Sequence, residues 1–254
     1  MLSVTVIGSG NVAQHLIKAF EATPQVNLIQ AFARHPEKLT HLLPQDKITS
    51  DLQTLQPADV YIISVSDNAV ASLTSQFSFS GKLVVHTSGS TAMQVIDARN
   101  RRGVFYPLQT FSAAKAIDFT TVPLCIEAEN SEDNQTLYNL ASTLSQSVYY
   151  INSTQRQALH VAAVLSCNFV NHLYALGARV CEENNISFDI LKPLIQETAD
   201  KINSLTPVEA QTGPAVRNDT QTLQHHLDFL KDGQLKEIYT LLTQSIQQTH
   251  EQKL

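Results

Sequence analysis

The feature that most constrains this chain is a short glycine-bearing run near its start. Gly8-Ser9-Gly10-Asn11-Val12-Ala13 follows a β-rich stretch, Leu2 to Ile7, and opens a helical pattern. Two closely spaced glycines permit a tight strand-to-helix turn and let the backbone approach a ligand. The small Ala13 lets the helix pack close on its strand. The first helical turn then offers unpaired N–H groups at the positive end of the helix dipole. This combination predicts a pyrophosphate site built from Gly8, Ser9, Gly10, Asn11 and Val12. The plain alternative is an ordinary Gly-rich turn between strand and helix.

The rest of the first half repeats the alternation. Runs rich in Val, Ile and aromatics predict strands over 2–7, 26–33, 59–65, 82–86, 103–106, 122–128 and 148–151. Helical patterns fall between several of them, as at 12–22 and 134–144. Strand–helix alternation implies βαβ units and a mainly parallel sheet. After Asn152 the strands stop. Ser153-Thr154 is a candidate helix cap, and 155–183 has no proline and is apolar on much of its circumference. Such a helix is expected to be buried. Further helices are expected after Ser187, with Pro193 in the first turn, from Asp219, and from about Gln234. The expected fold class is therefore α/β: a doubly wound Rossmann domain over 1–152, then an all-helical domain over 153–254. The Gln- and Thr-rich end after Thr243 is expected to fray.

The end of the second strand bears on cofactor choice. An NAD site usually has an acid there for the ribose hydroxyls. This chain has Phe32-Ala33-Arg34-His35. Arg34 is suited to a 2′-phosphate through paired N–H bonds, with Lys38 one turn on, which points to NADP(H). Ser64, Val65 and Ser66 end the third core strand, and His86-Thr87-Ser88-Gly89 ends the fourth. Strand ends of this kind face the ligand crevice. Asp67 suits either a ligand contact or the cap of the next helix.

Composition removes several function classes. The 254 residues carry a formal charge of -6 with no basic stripe, which argues against nucleic acid. Charged residues make up only 16%, a hint of extensive burial or assembly. The three cysteines are far apart and form no Cys-x-x-Cys pair, so no zinc site or disulfide framework is expected. There is no His-Glu-x-x-His, and the neighbours His225 and His226 point to different sides of a helix, so no metal is expected. The start of the chain lacks a signal-peptide pattern, and no stretch is expected to supply the roughly 18 apolar residues of a membrane span. The expectation is a cytoplasmic protein without a membrane partner.

Beyond the opening motif the chain resembles a known group. The residues that carry the resemblance are Gly8 to Ala13, His86-Thr87-Ser88-Gly89 and Tyr106-Pro107-Leu108-Gln109-Thr110-Phe111. With them go His160, Ser166-Cys167-Asn168-Phe169, and Thr212-Gly213-Pro214 with Arg217 and Asp219. Together they resemble a family of NADP oxidoreductases with a Rossmann-like domain and a C-terminal domain of unknown function. That family is related to pyrroline-5-carboxylate reductase and to the 6-phosphogluconate dehydrogenase group. The resemblance implies an NADP-binding fold and a helical dimerisation domain, hence a homodimer. It implies no substrate. Two departures stand out. The lysine that hydroxyacid relatives carry a turn before the asparagine is absent, since Val164 and Leu165 occupy those places. Tyr106 stands where relatives often carry histidine.

Hydride transfer needs a positioned substrate and often a proton donor of near-neutral pKa. His86, at a strand end, and His160, on the long helix, are the candidates. On that helix His160, Val164, Asn168 and Asn171 recur at three- and four-residue steps, so Asn168 is a third candidate for the chemistry. Structural hydrogen bonding explains Asn168 equally well. Arg217 is not required by its turn and suits a carboxylate or phosphate of a small-molecule substrate; a structural ion pair is as good an account. The leading expectation is an NADPH-dependent reductase of a small carbonyl or imine. The rival is a non-catalytic NADP(H)-binding sensor, motivated by the missing lysine. A deazaflavin-linked reductase is a third reading, and it requires a second large cavity.

Overall fold

A computed structural model describes residues 1–251. The last part of the expected helical domain and of its Gln- and Thr-rich end, 252–254, lies outside the described residues.

The strands are β1 (Leu2–Ile7), β2 (Val26–Phe32), β3 (Ile48–Thr49), β4 (Val60–Ile63), β5 (Leu83–His86), β6 (Arg101–Pro107), β7 (Leu124–Ala128) and β8 (Val148–Tyr150). They form one sheet in the order β3-β2-β1-β4-β5-β6-β7-β8. All neighbouring pairs run parallel except β6 and β7. The order reverses between β1 and β4, which is where a doubly wound sheet opens its ligand crevice. This is the expected Rossmann-like architecture. β3 was not expected: two residues are too short to show a period.

Within the sheet, side chains alternate between two cores. Val60 and Ile62 of β4 point to one face, Tyr61 and Ile63 to the other. The first face is covered by α1 (Asn11–Glu21) and later by α3 (Ser131–Ser142) through Leu16, Ile17, Phe20, Leu137 and Leu140. The second is covered around Val70 of the short α2 (Val70–Thr74), with Phe77 and Ile96. Strands covered on both faces read as unbroken apolar runs, as Val60-Tyr61-Ile62-Ile63 does.

After β8 the chain is helical. α4 (Ser153–Ala163) leads through a π-helical turn, Val164–Asn168, into α5 (Phe169–Glu183). The α4 cap is Asn152 rather than Ser153: its side chain accepts from Gln155 N–H while Gln155 reaches back to the Asn152 N–H. Then come α6 (Lys192–Lys201), the one-turn α7 (Pro207–Ala210), α8 (Thr220–Phe229, capped by Asp219) and α9 (Gly233–Glu251). Residues 1–167 form one compact unit, and a second begins at Asn168. The sheet and the division read from sequence both end near 150–152, and the first unit additionally holds α4.

Two expectations about the long helix need correction. It is not buried in the single chain: Val161, Leu165 and Phe169 are 56%, 57% and 55% exposed. By length and composition, Ser153–Glu183 is also apolar enough to cross a membrane, with a mean hydropathy of 1.3 over its best window. Arg156, His160, Asn168 and Asn171 interrupt the run, so its apolar character is spread along the helix and shows no unbroken stretch.

Candidate active site

The turn after β1 is built around Gly8. Its φ is +140°, and a Cβ there would sit 2.0 Å from the Ser64 carbonyl oxygen. Only glycine lets β1 and β4 stay this close while the chain turns. Gly8 N–H donates to the Phe32 carbonyl at 2.8 Å, and Gln14 Nε2 donates to the Ser9 carbonyl at 3.0 Å, fixing the loop from both sides. Gly10 is the α1 N-cap and supplies no side-chain cap; no acid lies in the first turn. A Cβ at Gly10 would meet nothing within 4 Å. The glycine therefore borders open space, with uncapped helix N–H groups behind it. That arrangement suits the pyrophosphate of a dinucleotide.

This loop lines one end of a cleft of about 1120 Å³. Ordinary small-molecule pockets hold about 300–1,000 Å³. All the expected cofactor residues border it: Gly8, Ser9, Gly10, Asn11, Val12, Arg34, Ser64, Val65 and Ser66. Arg34 and Lys38 flank one end, exposed, and neither makes an ion pair among the described residues. Thr87, Ser88, Gly89, Tyr106, Pro107 and His160 also line the cleft. Asn11 Nδ2 donates to the Phe111 carbonyl at 3.2 Å, so the segment after β6 is tied to the glycine loop.

The polar candidates separate once placed. His160 lines the cleft, half-buried, with Nδ1 3.3 Å from the Tyr106 hydroxyl. His86 does not line it. It is fully buried behind Thr87 and Ser88, and its Nδ1 accepts from the Ser88 N–H at 3.2 Å. Burial, reinforced by the Arg156 guanidinium, pulls its pKa down to about 4. At neutral pH His86 is an uncharged, enclosed imidazole, so the expected proton donor at this strand end is instead part of the cleft's backing. Asp67 does not cap the following helix with its side chain; its carboxylate accepts from the Ser90 hydroxyl at 2.7 Å. Asn168 is exposed at the end of the π-helical turn, which breaks the α-helical count from His160. Arg217 is exposed in the helical unit near Asp219.

One buried network escaped the sequence. Arg156, 1% exposed, pairs with the Glu127 carboxylate and donates to the Thr91 carbonyl; Glu127 also accepts from Ser153 N–H and Oγ. The acid thus meets both a guanidinium and a helix N-terminus, and it locks α4, with His160, to the sheet. The partners are 29 residues apart, and nothing local in the sequence pairs them. No group of acidic, histidine or cysteine side chains suited to a metal occurs among the described residues.

Comparison with known proteins agrees with this geometry. A crystal structure from Bacteroides fragilis described as a "putative NADP oxidoreductase" is 40% identical over 97% of this chain and 98% of its own, with a TM-score of 0.88. The chain belongs to this NADP oxidoreductase family. Within it, residues 3–89 match the family described as NADP oxidoreductase, coenzyme F420-dependent, and residues 122–246 match a domain of unknown function, DUF2520. The fold extends to more distant enzymes. An imine reductase from a Pseudomonas species is 18% identical over 98% of this chain and 94% of its own, with a TM-score of 0.70. A reductive aminase from Aspergillus terreus, in complex with NADPH and ethyl levulinate, is 16% identical over 99% and 94%, with a TM-score of 0.71. At such identities the likeness is one of fold. No curated protein matches the chain. NADP is accordingly the cofactor of this family member, and the open, uncapped cradle at Gly10 fits it.

Proposed function

We propose that this NADP oxidoreductase uses NADPH to reduce a small carbonyl or imine. The observation that carries the reading is the continuity of the cleft. The same space of about 1120 Å³ borders the glycine loop, Arg34 and the polar pair Tyr106–His160. A sensor that only holds the dinucleotide has no need of titratable groups in the same open space, so the catalytic reading is preferred. The imine reductase and reductive aminase that share the fold favour this reaction class.

Each residue has a part in this account. Backbone N–H groups at Gly10, Asn11 and Val12 hold the pyrophosphate, and Ser64, Val65 and Ser66 border the sugar. Arg34, with Lys38, holds the 2′-phosphate. When bound, NADPH supplies the hydride. His160 gives or relays a proton to the substrate heteroatom, or orients the substrate. Arg217 holds an anionic substrate group, and Asn168 offers a neutral hydrogen-bonding contact.

We also propose a homodimer formed through the helical unit. Among described residues from 168 onward only Ala215 and Leu223 are buried, while Phe169, Leu194 and Leu241 are 55%, 62% and 67% exposed. Apolar exposure on this scale marks an interface. Light scattering on the purified protein tests this: a monomer at micromolar concentration contradicts it.

The functional test is NADPH oxidation against panels of carbonyl and imine compounds, repeated with His160→Ala. Turnover by the wild type and a loss of about 100-fold or more in the variant support the reading, since a positioned acid or base contributes about 10²–10⁴-fold. Equal rates remove His160 from the chemistry.

A further inference from the structure

Tyr106 lies on β6, beside Pro107, and faces Cys125 across the antiparallel pair. Its hydroxyl is 3.3 Å from His160 Nδ1, and the two rings meet edge-on with centroids 6.3 Å apart. Both side chains line the cleft at Ser88 and Gly89. Burial, followed by the neighbouring Cys125, raises the Tyr106 pKa above its ordinary value. The group is thus a phenol with a proton to give throughout the physiological range.

Gly89 explains how the pair is accommodated. A Cβ there would lie 2.6 Å from His160 Nδ1 and 2.8 Å from the Tyr106 hydroxyl oxygen. Yet Gly89 is not among the residues of positive φ, so its backbone has no need of glycine. What requires glycine at this position is the two polar tips standing over it. The end of β5 is shaped around the hydroxyl and the imidazole, and both open on the cleft.

We propose that Tyr106 is a catalytic residue that gives its hydroxyl proton to the substrate oxygen or nitrogen, with His160 aligning and reprotonating it and Gly89 leaving the space that both occupy. This rests on the reductase reading above. The balance is that of a two-electron reduction, with dihydronicotinamide as reductant. The substrate carbon gains a hydride. The Tyr106 O–H bond breaks as an O–H or N–H bond forms on the substrate. The phenolate then takes the proton of His160 Nδ1–H while Nε2 gains one from solvent. In the tautomer whose Nδ1–H donates to the phenol oxygen, the hydroxyl is the group of the pair free to turn its proton to the substrate.

The test uses the full-length protein loaded with NADPH, with 2-methyl-1-pyrroline and ethyl levulinate as probes. Tyr106→Phe keeps the ring and removes only the hydroxyl. Its kcat is expected to fall about 100-fold or more, with KM and the NADPH dissociation constant changed by no more than about twofold. Gly89→Ala is expected to lower kcat in the same way, because its methyl displaces both tips. A second readout needs no turnover. In ¹H–¹⁵N spectra of the NADPH-loaded protein, the His160 Nδ1 signal is expected to move toward the free imidazole position in Tyr106→Phe. Wild-type rates in Tyr106→Phe, with or without that movement, overturn the catalytic role and leave the reductase reading standing. Failure of the wild type to oxidise NADPH with either probe overturns the reductase reading and this inference with it.

Discussion

His86 makes an acid-sensitive element of the sheet. It is fully buried, and its folded pKa is about 4 against an ordinary 6.5. The lowering comes first from burial, then from Arg156; an Ala92 backbone contact, Asp67 and Glu127 oppose it. The folded pKa is depressed, so the unfolded chain binds this proton more readily than the native one does. The stabilising contribution is therefore complete above about pH 6.5 and is lost as the pH falls through the window down to about 4. At about 1.36 kcal/mol per pKa unit the whole window is worth about 3 kcal/mol, of which about 2 kcal/mol is gone by about pH 5. The perturbation is His86→Asn, which retains an acceptor for the Ser88 N–H and does not titrate. Urea unfolding of both proteins at about pH 7.5 and pH 5 measures the difference. The wild type is expected to lose about 2 kcal/mol more than the variant over this interval. Comparing the two cancels the carboxylates that also titrate as the pH falls. Parallel losses in both proteins refute the assignment of a neutral, enclosed His86.

Four further substitutions separate fold from site. Gly8→Ala puts a methyl against the Ser64 carbonyl at a φ of +140° and is expected to cost about 3 kcal/mol or more in urea unfolding; by contrast Gly10→Ala, whose Cβ meets nothing within 4 Å, is expected to fold normally and bind NADPH about tenfold or more weakly by calorimetry. Arg34→Ala is expected to weaken NADPH by about 10–100-fold and leave NADH unchanged, since a charge-assisted contact is worth about 1.5–3 kcal/mol; equal losses for both cofactors would remove Arg34 from the 2′-phosphate. Glu127→Gln leaves Arg156 buried without its counter-charge and is expected to destabilise the protein by about 3–5 kcal/mol, measured by urea unfolding.

What the sequence revealed was local. The glycine loop, most of the strands and the absence of an acid after β2 each depend on residues close together in the chain, so pattern and chemistry agree there. The misses are non-local. Glu127 and Arg156 are 29 residues apart, and Tyr106 and His160 are 54 apart. Only the closure of β6 and β7 against α4 brings these pairs together. His86 looked exposed because strand ends in such sheets generally are. Its enclosure depends on the turn through Ser88, Ser90 and Thr91, whose hydroxyls bond to one another. The π-helical turn at Val164–Asn168 leaves no trace in an apolar run that already reads as helix. The exposed faces of α4 and α5 looked like core because periodicity reports that a face is apolar, and is silent on whether anything covers it.

The central claim is that the loop Gly8 to Val12 grips a dinucleotide phosphate and that Arg34 selects NADP. Calorimetric titration of the purified protein with NADPH, and separately with NADH, tests it most directly. One site per chain is expected, tighter for NADPH, and at a hundredfold excess over its dissociation constant NADPH should add about 2.7 kcal/mol of stability. No heat of binding and no rise in melting temperature with either cofactor, or a clear preference for NADH, would contradict it.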